Sequence, residues 1–202
     1  MRKSAILVLA SLLSASCSNR EIPAAEGSAA VSGEIPVPAI GFAPEHYLCY
    51  RAGMITVDGD ITDEEWSSAP WSNLFTDIEG SLKPAPLYDT RLKMLWDDRC
   101  LYVAAELREP HIWATLRQRD TIIFHDNDFE VFIDPDGDTH GYYEFEMNAF
   151  NTVWDLLLTM PYRDNGRAID AWDIAGLRSA VKIRSEERRV GKEFRARWAG
   201  YH

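Results

Sequence analysis

The densest chemistry in the chain lies in one stretch, Asp126 to Asp138, which reads DNDFEVFIDPDGD and holds six carboxylates in thirteen residues. A second acidic run, YYEFEMN from Tyr142 to Asn148, follows after a short polar connection. Both alternate: Asp128, Glu130 and Asp134 oppose Phe129, Val131 and Ile133, while Glu144, Glu146 and Asn148 oppose Tyr143, Phe145 and Met147. Carboxylates spaced this way suit three kinds of chemistry. They can accept hydrogen bonds from a polyol, act as the acid and base of a glycoside hydrolase, or hold a hard cation.

A sugar presents apolar C–H faces edged with hydroxyls, so its binder needs exposed aromatic planes flanked by carboxylate, amide and guanidinium groups. The chain has seven tryptophans. Trp66, Trp71 and Trp96 fall in apolar contexts and are expected in the core, and Trp198 lies in an anomalous tail described below. Trp113, Trp154 and Trp172 stand beside polar residues (His111, Asp155, Asp170 and Asp173) and are the candidate sugar-stacking rings. Glu144 and Asn148 point the same way, two pleats apart, and Arg119, Asn127 and Asp128 lie on the approach to that surface. Together these eight residues form the expected carbohydrate-binding set.

Hydrolysis is the alternative reading of the same carboxylates. It needs two of them separated by about 5 to 9.5 Å across a glycosidic bond. Same-face neighbours on any strand lie about 7 Å apart, so spacing alone does not choose between binding and cleavage. For metal, Asp134, Asp136 and Asp138 have D-x-D-x-D spacing. Gly137 stands at loop position four rather than six, however, and Phe145 stands where an EF-hand has its twelfth-position Glu. The turn is read either as plain hairpin capping or as a calcium site. His111, His125 and His140 lack paired ligand spacing, so zinc has no support. No glycine-rich phosphate loop or nucleophile elbow is present, and no cofactor is expected to be required beyond such a structural calcium.

Strands must position these groups. TRLKMLWDD alternates Leu92, Met94 and Trp96 against Arg91, Lys93 and Leu95, and CLYVAAELRE places Leu101, Val103, Ala105 and Leu107 on one face, which predicts a hairpin across Asp97–Arg99. The Pro, Asp and Gly of PDGDTHG predict that the two acidic strands are antiparallel neighbours. Asp128, Glu130, Glu144 and Glu146 would then crowd one surface, at a cost unless a cation such as Arg91, Lys93 or Arg119 offsets them. NTVWDLLLT is a further strand. Helical signal is confined to Asp63–Trp66 and to HIWATLRQRD, where Ile112, Trp113 and Leu116 would face the sheet. The expected fold class is all-β, an antiparallel β-sandwich.

The ends differ from this domain. Arg2 and Lys3 precede an apolar run, Ala5 to Leu13, too short to span a bilayer, and LSASC resembles a bacterial lipoprotein signal with Cys17 as the lipidated residue. Residues 18–44, rich in Ala, Pro, Gly and Ser, read as a flexible tether, and the domain is expected over 45–183. The net charge of −11 points away from nucleic acid as a partner. Expected instead are a saccharide and, through the lipid, a membrane of the bacterial cell envelope. Arg184–His202 carries six basic and three acidic residues and closely resembles the translation of a common sequencing-library adapter, departing from it at Phe194, Ala196, Ala199 and Gly200. The segment is therefore expected to be non-native, with few core contacts, and the domain to be truncated at an unpaired strand edge.

Four motifs occur together: ITVDGDITDEEWSSAPW, KMLWDDRCLYVAAEL, DNDFEVFIDPDGD and YYEFEMNAFNTVWDLLL. As a set they resemble the family 9 carbohydrate-binding modules, above all the stand-alone family 9-like proteins, over Ile55 to Ile183. The resemblance implies a β-sandwich that binds saccharides without cleaving them, in the service of glycan capture or degradation, with structural calcium in some members. The family pattern continues into further strands with a late Trp and Pro that this chain lacks.

Overall fold

The structure, a computed structural model, describes residues 9–11, 45–185 and 189–197. Cys17, the tether to residue 44, and Trp198 to His202 lie outside the described residues. One compact unit holds Leu9–Ser11 and the chain from Cys49 onward; of the other, Ser14–Leu48, residues 45–48 are described and have no regular secondary structure.

Among the described residues, ten strands build two sheets. They are β1 (Leu9–Ser11), β2 (Tyr50–Arg51), β3 (Thr90–Trp96), β4 (Cys100–Arg108), β5 (Asp128–Asp134), β6 (Tyr142–Asn148), β7 (Val153–Leu158), β8 (Ala168–Ile169), β9 (Arg178–Arg184) and β10 (Arg189–Arg197). The first sheet runs β1-β5-β6-β7-β8 and the second β2-β3-β4-β10-β9. Only the two short pairings, β1 with β5 and β2 with β3, are parallel among these. The long strands follow the alternation in the sequence: Leu92 and Met94 of β3 lie beside Ala105 and Val103 of β4, and all four are buried. Phe145 of the first sheet meets Phe194 of the second, ring centroids 4.6 Å apart, so the two sheets pack face to face as a β-sandwich. Cys49 and Cys100 are free thiols, Cys100 buried in the second sheet.

The outer face of the second sheet is covered by the opening segment. Ile55, Ile61, Trp66 and Ala69 pack on Leu95, Tyr102 and Ala104, with Trp71 partly buried against them. Gly59 adopts φ +85° where the segment crosses β9 and β10. A Cβ there would lie 2.7 Å from the Lys182 nitrogen, and one on Gly191 would lie 2.7 Å from the Gly59 oxygen, so the crossing requires glycine on both sides.

Two expectations are corrected. HIWATLRQRD forms no helix. The N–H groups of Thr115 and Leu116 go to the Asp126 carboxylate, and the Leu116 carbonyl accepts from Asn148 and Thr152, so side chains of other segments satisfy the backbone that a helix would have paired internally. The basic tail, over its described residues 189–197, is well packed. β10 is hydrogen-bonded between β4 and β9, with Val190, Lys192, Glu193, Phe194 and Ala196 buried. Its alternation was masked by charge. Val190, Phe194 and Ala196 share the inner face with Lys192, whose Nζ donates to the Met147 carbonyl at 2.8 Å, and Glu193 on the outer face accepts from the Trp66 indole at 3.1 Å and from the N–H groups of Asp58 and Gly59. β9, preceding β10, is the strand at that sheet's edge.

Candidate functional site

The β5–β6 register places Glu130 opposite Glu146, Asp128 opposite Asn148 and Phe132 opposite Glu144, and β7 sets Trp154 beside Glu146 and Leu156 beside Glu144. The outer face of the first sheet is thus the crowded acidic surface that the alternation predicted. It is roofed. Phe124, in a one-turn 3-10 helix over Ile123–His125, donates its N–H to Glu146 at 3.1 Å, and the Tyr162 hydroxyl donates to Glu144 at 2.6 Å. Phe124 and Tyr162 are themselves exposed, and Trp154, half-buried, lies 6.1 Å from the Phe124 ring. Three aromatic side chains therefore rim a floor of buried carboxylates.

That floor is electrostatically loaded. Burial first, and then the charges of Glu130, Asp128 and Glu144, push the Glu146 carboxyl up to about 9. Burial likewise raises Glu130, with Asp128 and Glu144 adding to the shift, and raises Asp128 and Glu144 as well. The expected counter-cations are elsewhere. Arg91 pairs with Glu106 and lies over the Trp71 ring, Lys93 lies over the same ring, and Arg119 pairs with Asp155 and Asp173. Among the described residues Lys192, buried on the inner face, is the cation that acts on one member of the floor: burial depresses its ammonium while Asp128 supports it.

The structure separates the candidate residues. Asp128, Glu144 and Trp154 share the outer face. Asn148 is on that face too, but its amide donates to Leu116 and Asp126 and accepts from the N–H groups of Phe150 and Thr152, at 2.8 to 3.0 Å, which leaves it no free valence for a ligand. It is a loop anchor. Asp126, which receives four donors, is the other half of the anchor; burial raises its carboxyl, and the donors outweigh burial and hold it below the usual range. Asn148→Ala is therefore expected to destabilise the fold by roughly 3 kcal/mol, through buried partners left unpaired, as measured by urea unfolding.

Arg119 and Trp172 belong to the opposite parity of the sheet. Asp155, to which Arg119 pairs, is cross-strand from Phe145, and Trp172 stacks on Tyr143 at 4.6 Å and 17°. Trp113 is exposed in the loop that the anchor holds, and Asn127, also exposed, donates to Glu109 at 3.4 Å. Asp134, Asp136 and Asp138 do converge, with carboxylate oxygens within 4.8 Å of one another. Asp134 accepts from Gly137 and Thr139, Asp136 from Asp138, and Asp138 from His140, the hydrogen bonding of a capped turn. Phe124 and Tyr162 were missed as site residues because they come from loops whose reach over the sheet no periodicity encodes. Glu130 and Glu146 carried a signal, the shared parity with Asp128 and Glu144.

Comparison with known proteins bears on the whole domain. A carbohydrate-binding module of family 9 from Caldicellulosiruptor kristjanssonii, solved in complex with glucose, superposes with a TM-score of 0.53 at 18% identity, covering 78% of this chain and 71% of that one. A complex of such a module from the same organism with cellotriose gives 0.51 at 21% identity, covering 75% and 67%. A candidate carbohydrate-binding protein from Bacteroides uniformis gives 0.59 at 11% identity, covering 76% and 72%. These likenesses establish the fold. No curated protein matches the chain. The profile of the carbohydrate family 9 binding domain-like family matches residues 57–187, well over half of the sequence, and the chain belongs to that family.

Proposed function

We propose that the protein is a non-catalytic saccharide binder that holds its ligand on the outer face of the first sheet. The observation that carries this reading is the rim of Phe124, Trp154 and Tyr162 above the carboxylates of Glu144 and Glu146. Trp154 is half-buried with its indole nitrogen buried, which leaves part of its ring for stacking, and Trp113 and Asn127 are exposed as well. Membership of a family whose structural neighbours include modules solved with glucose and cellotriose supports the same class of ligand. Few anchors on a shallow surface give micromolar to millimolar affinity, about −8 to −4 kcal/mol.

Hydrolysis uses the same groups less well. A glycosidase needs one ionised carboxylate that water and substrate reach, whereas Glu144 and Glu146 are 4% and 1% exposed and both are pushed toward the protonated form. Calorimetry against a panel of β- and α-glucans, xylans and mannans is expected to give saturable heat with at least one class and no new reducing ends. Silence across the panel contradicts binding, and release of reducing ends makes the protein a hydrolase.

Location follows from the leader. Cys17 would carry the lipid and residues 18–44 the tether, placing the domain at a bacterial envelope membrane; stable anchoring takes more than one acyl chain. Cys17→Ser is expected to move the protein to the soluble fraction on cell fractionation. Retention of Cys17→Ser in the membrane pellet contradicts the assignment.

A further inference from the structure

We propose that Glu130 and Glu146 work as a proton latch beneath the aromatic rim: each shares a proton with a neighbouring carboxylate, and the rim stays seated only while those protons are in place. The strand register builds the latch. Glu130 is directly cross-strand from Glu146, and Asp128 and Glu144 precede them on the same face of β5 and β6. One carboxyl oxygen from each of Asp128, Glu130 and Glu146 lies within 4.8 Å of the others. Glu130 is hydrogen-bonded to Asp128, and Glu146 to Glu144. A carboxylate offers no donor, so each of these carboxyl–carboxyl bonds requires one proton. All four groups are buried, and one member of each bonded pair is therefore a neutral acid.

The rim rests on these bonds. Glu146 accepts the Phe124 N–H and Glu144 accepts the Tyr162 hydroxyl, so both loops that carry rim aromatics end on one shared-proton pair. When that proton passes to solvent, two adjacent carboxylates remain with no donor between them and Glu130 opposite. Buried charge left without a partner is costly, and water reaches it only when the rim lifts. Burial, and then the neighbouring charges, hold the Glu146 carboxyl up at about 9 and move Glu130 the same way. Each binds its proton more tightly folded than unfolded. The stability this gives is complete below the unfolded Glu value, about 4.3, and is lost as pH rises through the folded value.

The other titratable groups around the floor do not replace the latch. Lys192 acts on Asp128 while Glu109 acts on Lys192, and burial depresses the ammonium, so this charge fades over the same direction of pH. Asp126 is occupied by its own donors. Burial raises the Tyr142 and Tyr162 hydroxyls, and Arg163 and Asp164, beside Tyr162, pair with each other. His125 packs edge-on against the Phe124 ring at 5.1 Å and is the group the test has to separate.

The latch is read on the full chain without ligand, and only its effect on a bound sugar rests on the saccharide reading. Carbon-13 spectra of the side-chain carboxyls, recorded from about pH 5 to about pH 10, are expected to show at least two that still titrate above about pH 7. Over the same range the thermal midpoint falls, and the share of tryptophan emission that Trp154→Phe removes becomes about twofold more open to acrylamide quenching. Glu146→Gln stays neutral at every pH and keeps an amide donor for Glu144. It is expected to cut both alkaline changes by about half or more, and His125→Gln to leave them as in the parent. Glu130→Gln takes the place of the first variant if that one does not unfold cooperatively. Titration of every carboxyl below about pH 6 overturns the latch. So do alkaline changes as steep in Glu146→Gln and Glu130→Gln as in the parent, or their loss in His125→Gln, which would assign them to the histidine. Sugar affinity by calorimetry is expected to drop about tenfold across the same step. A chain that gives no saccharide heat at any pH fails the reading of the site, whereas the latch stands or falls on the ligand-free titration.

Discussion

A chain ended at Ile183 is expected to lose cooperative folding. β10 is the strand between β4 and β9, so its removal leaves β4 as a bare edge and β9 without its ladder. It also removes Phe194, 1% exposed against Phe145, and Glu193, the acceptor for Trp66 and for the N–H groups of Asp58 and Gly59. Phe194→Ala alone should cost about 3 to 5 kcal/mol, a large share of the roughly 5 to 15 kcal/mol that holds a domain together. Circular dichroism melts check both variants. A truncated chain that melts at the parent midpoint would show that β10 is dispensable. Re-sequencing the locus settles the origin of the segment independently of its packing.

The second large effect is expected at the rim. Trp154→Ala removes the central aromatic plane while the floor, held by Phe124 and Tyr162 from above, keeps its hydrogen bonds. Loss of one buried aromatic anchor from a small site costs about 2 kcal/mol, roughly thirtyfold in Kd. Trp172→Ala, whose ring stacks on Tyr143 on the other parity of the sheet, should change affinity little. Calorimetry with whichever saccharide binds the parent chain compares the two. A larger loss in Trp172→Ala would place the ligand on the Arg119 side instead.

Much of the sandwich was legible because its strands alternate openly. The β3–β4 hairpin, the β5–β6 pairing and the acidic face follow from parity together with turn residues at Asp97–Arg99 and at Pro135–Gly141. β10 was illegible for the same reason that β5 was clear. Parity is read from apolar residues, and in β10 the inner face includes Lys192 and the outer face Glu193, each buried only because a specific distant partner receives it. The loop over 111–120 failed differently. Its apolar spacing suits a helix, but Asp126 and Asn148, outside the window that periodicity examines, capture its backbone. The site divided along the same line. Strand-borne Asp128, Glu144 and Trp154 share a face that parity alone specifies, while the loop-borne Phe124 and Tyr162 depend on tertiary reach. Asn148 was assigned a ligand role because a strand-face amide looks free until the loops that saturate it are in place.

The proposed site sets the saccharide against Trp154 at the outer face of the first sheet. The most direct measurement is a two-dimensional nitrogen–proton spectrum of the full chain, with the indole signals assigned by single Trp→Phe variants, recorded during titration with the saccharide class that gives heat. The Trp154 indole signal is expected to shift progressively to saturation while that of Trp66, buried against Glu193 in the other sheet, stays fixed. A saturable shift at Trp172 with Trp154 unmoved would contradict it.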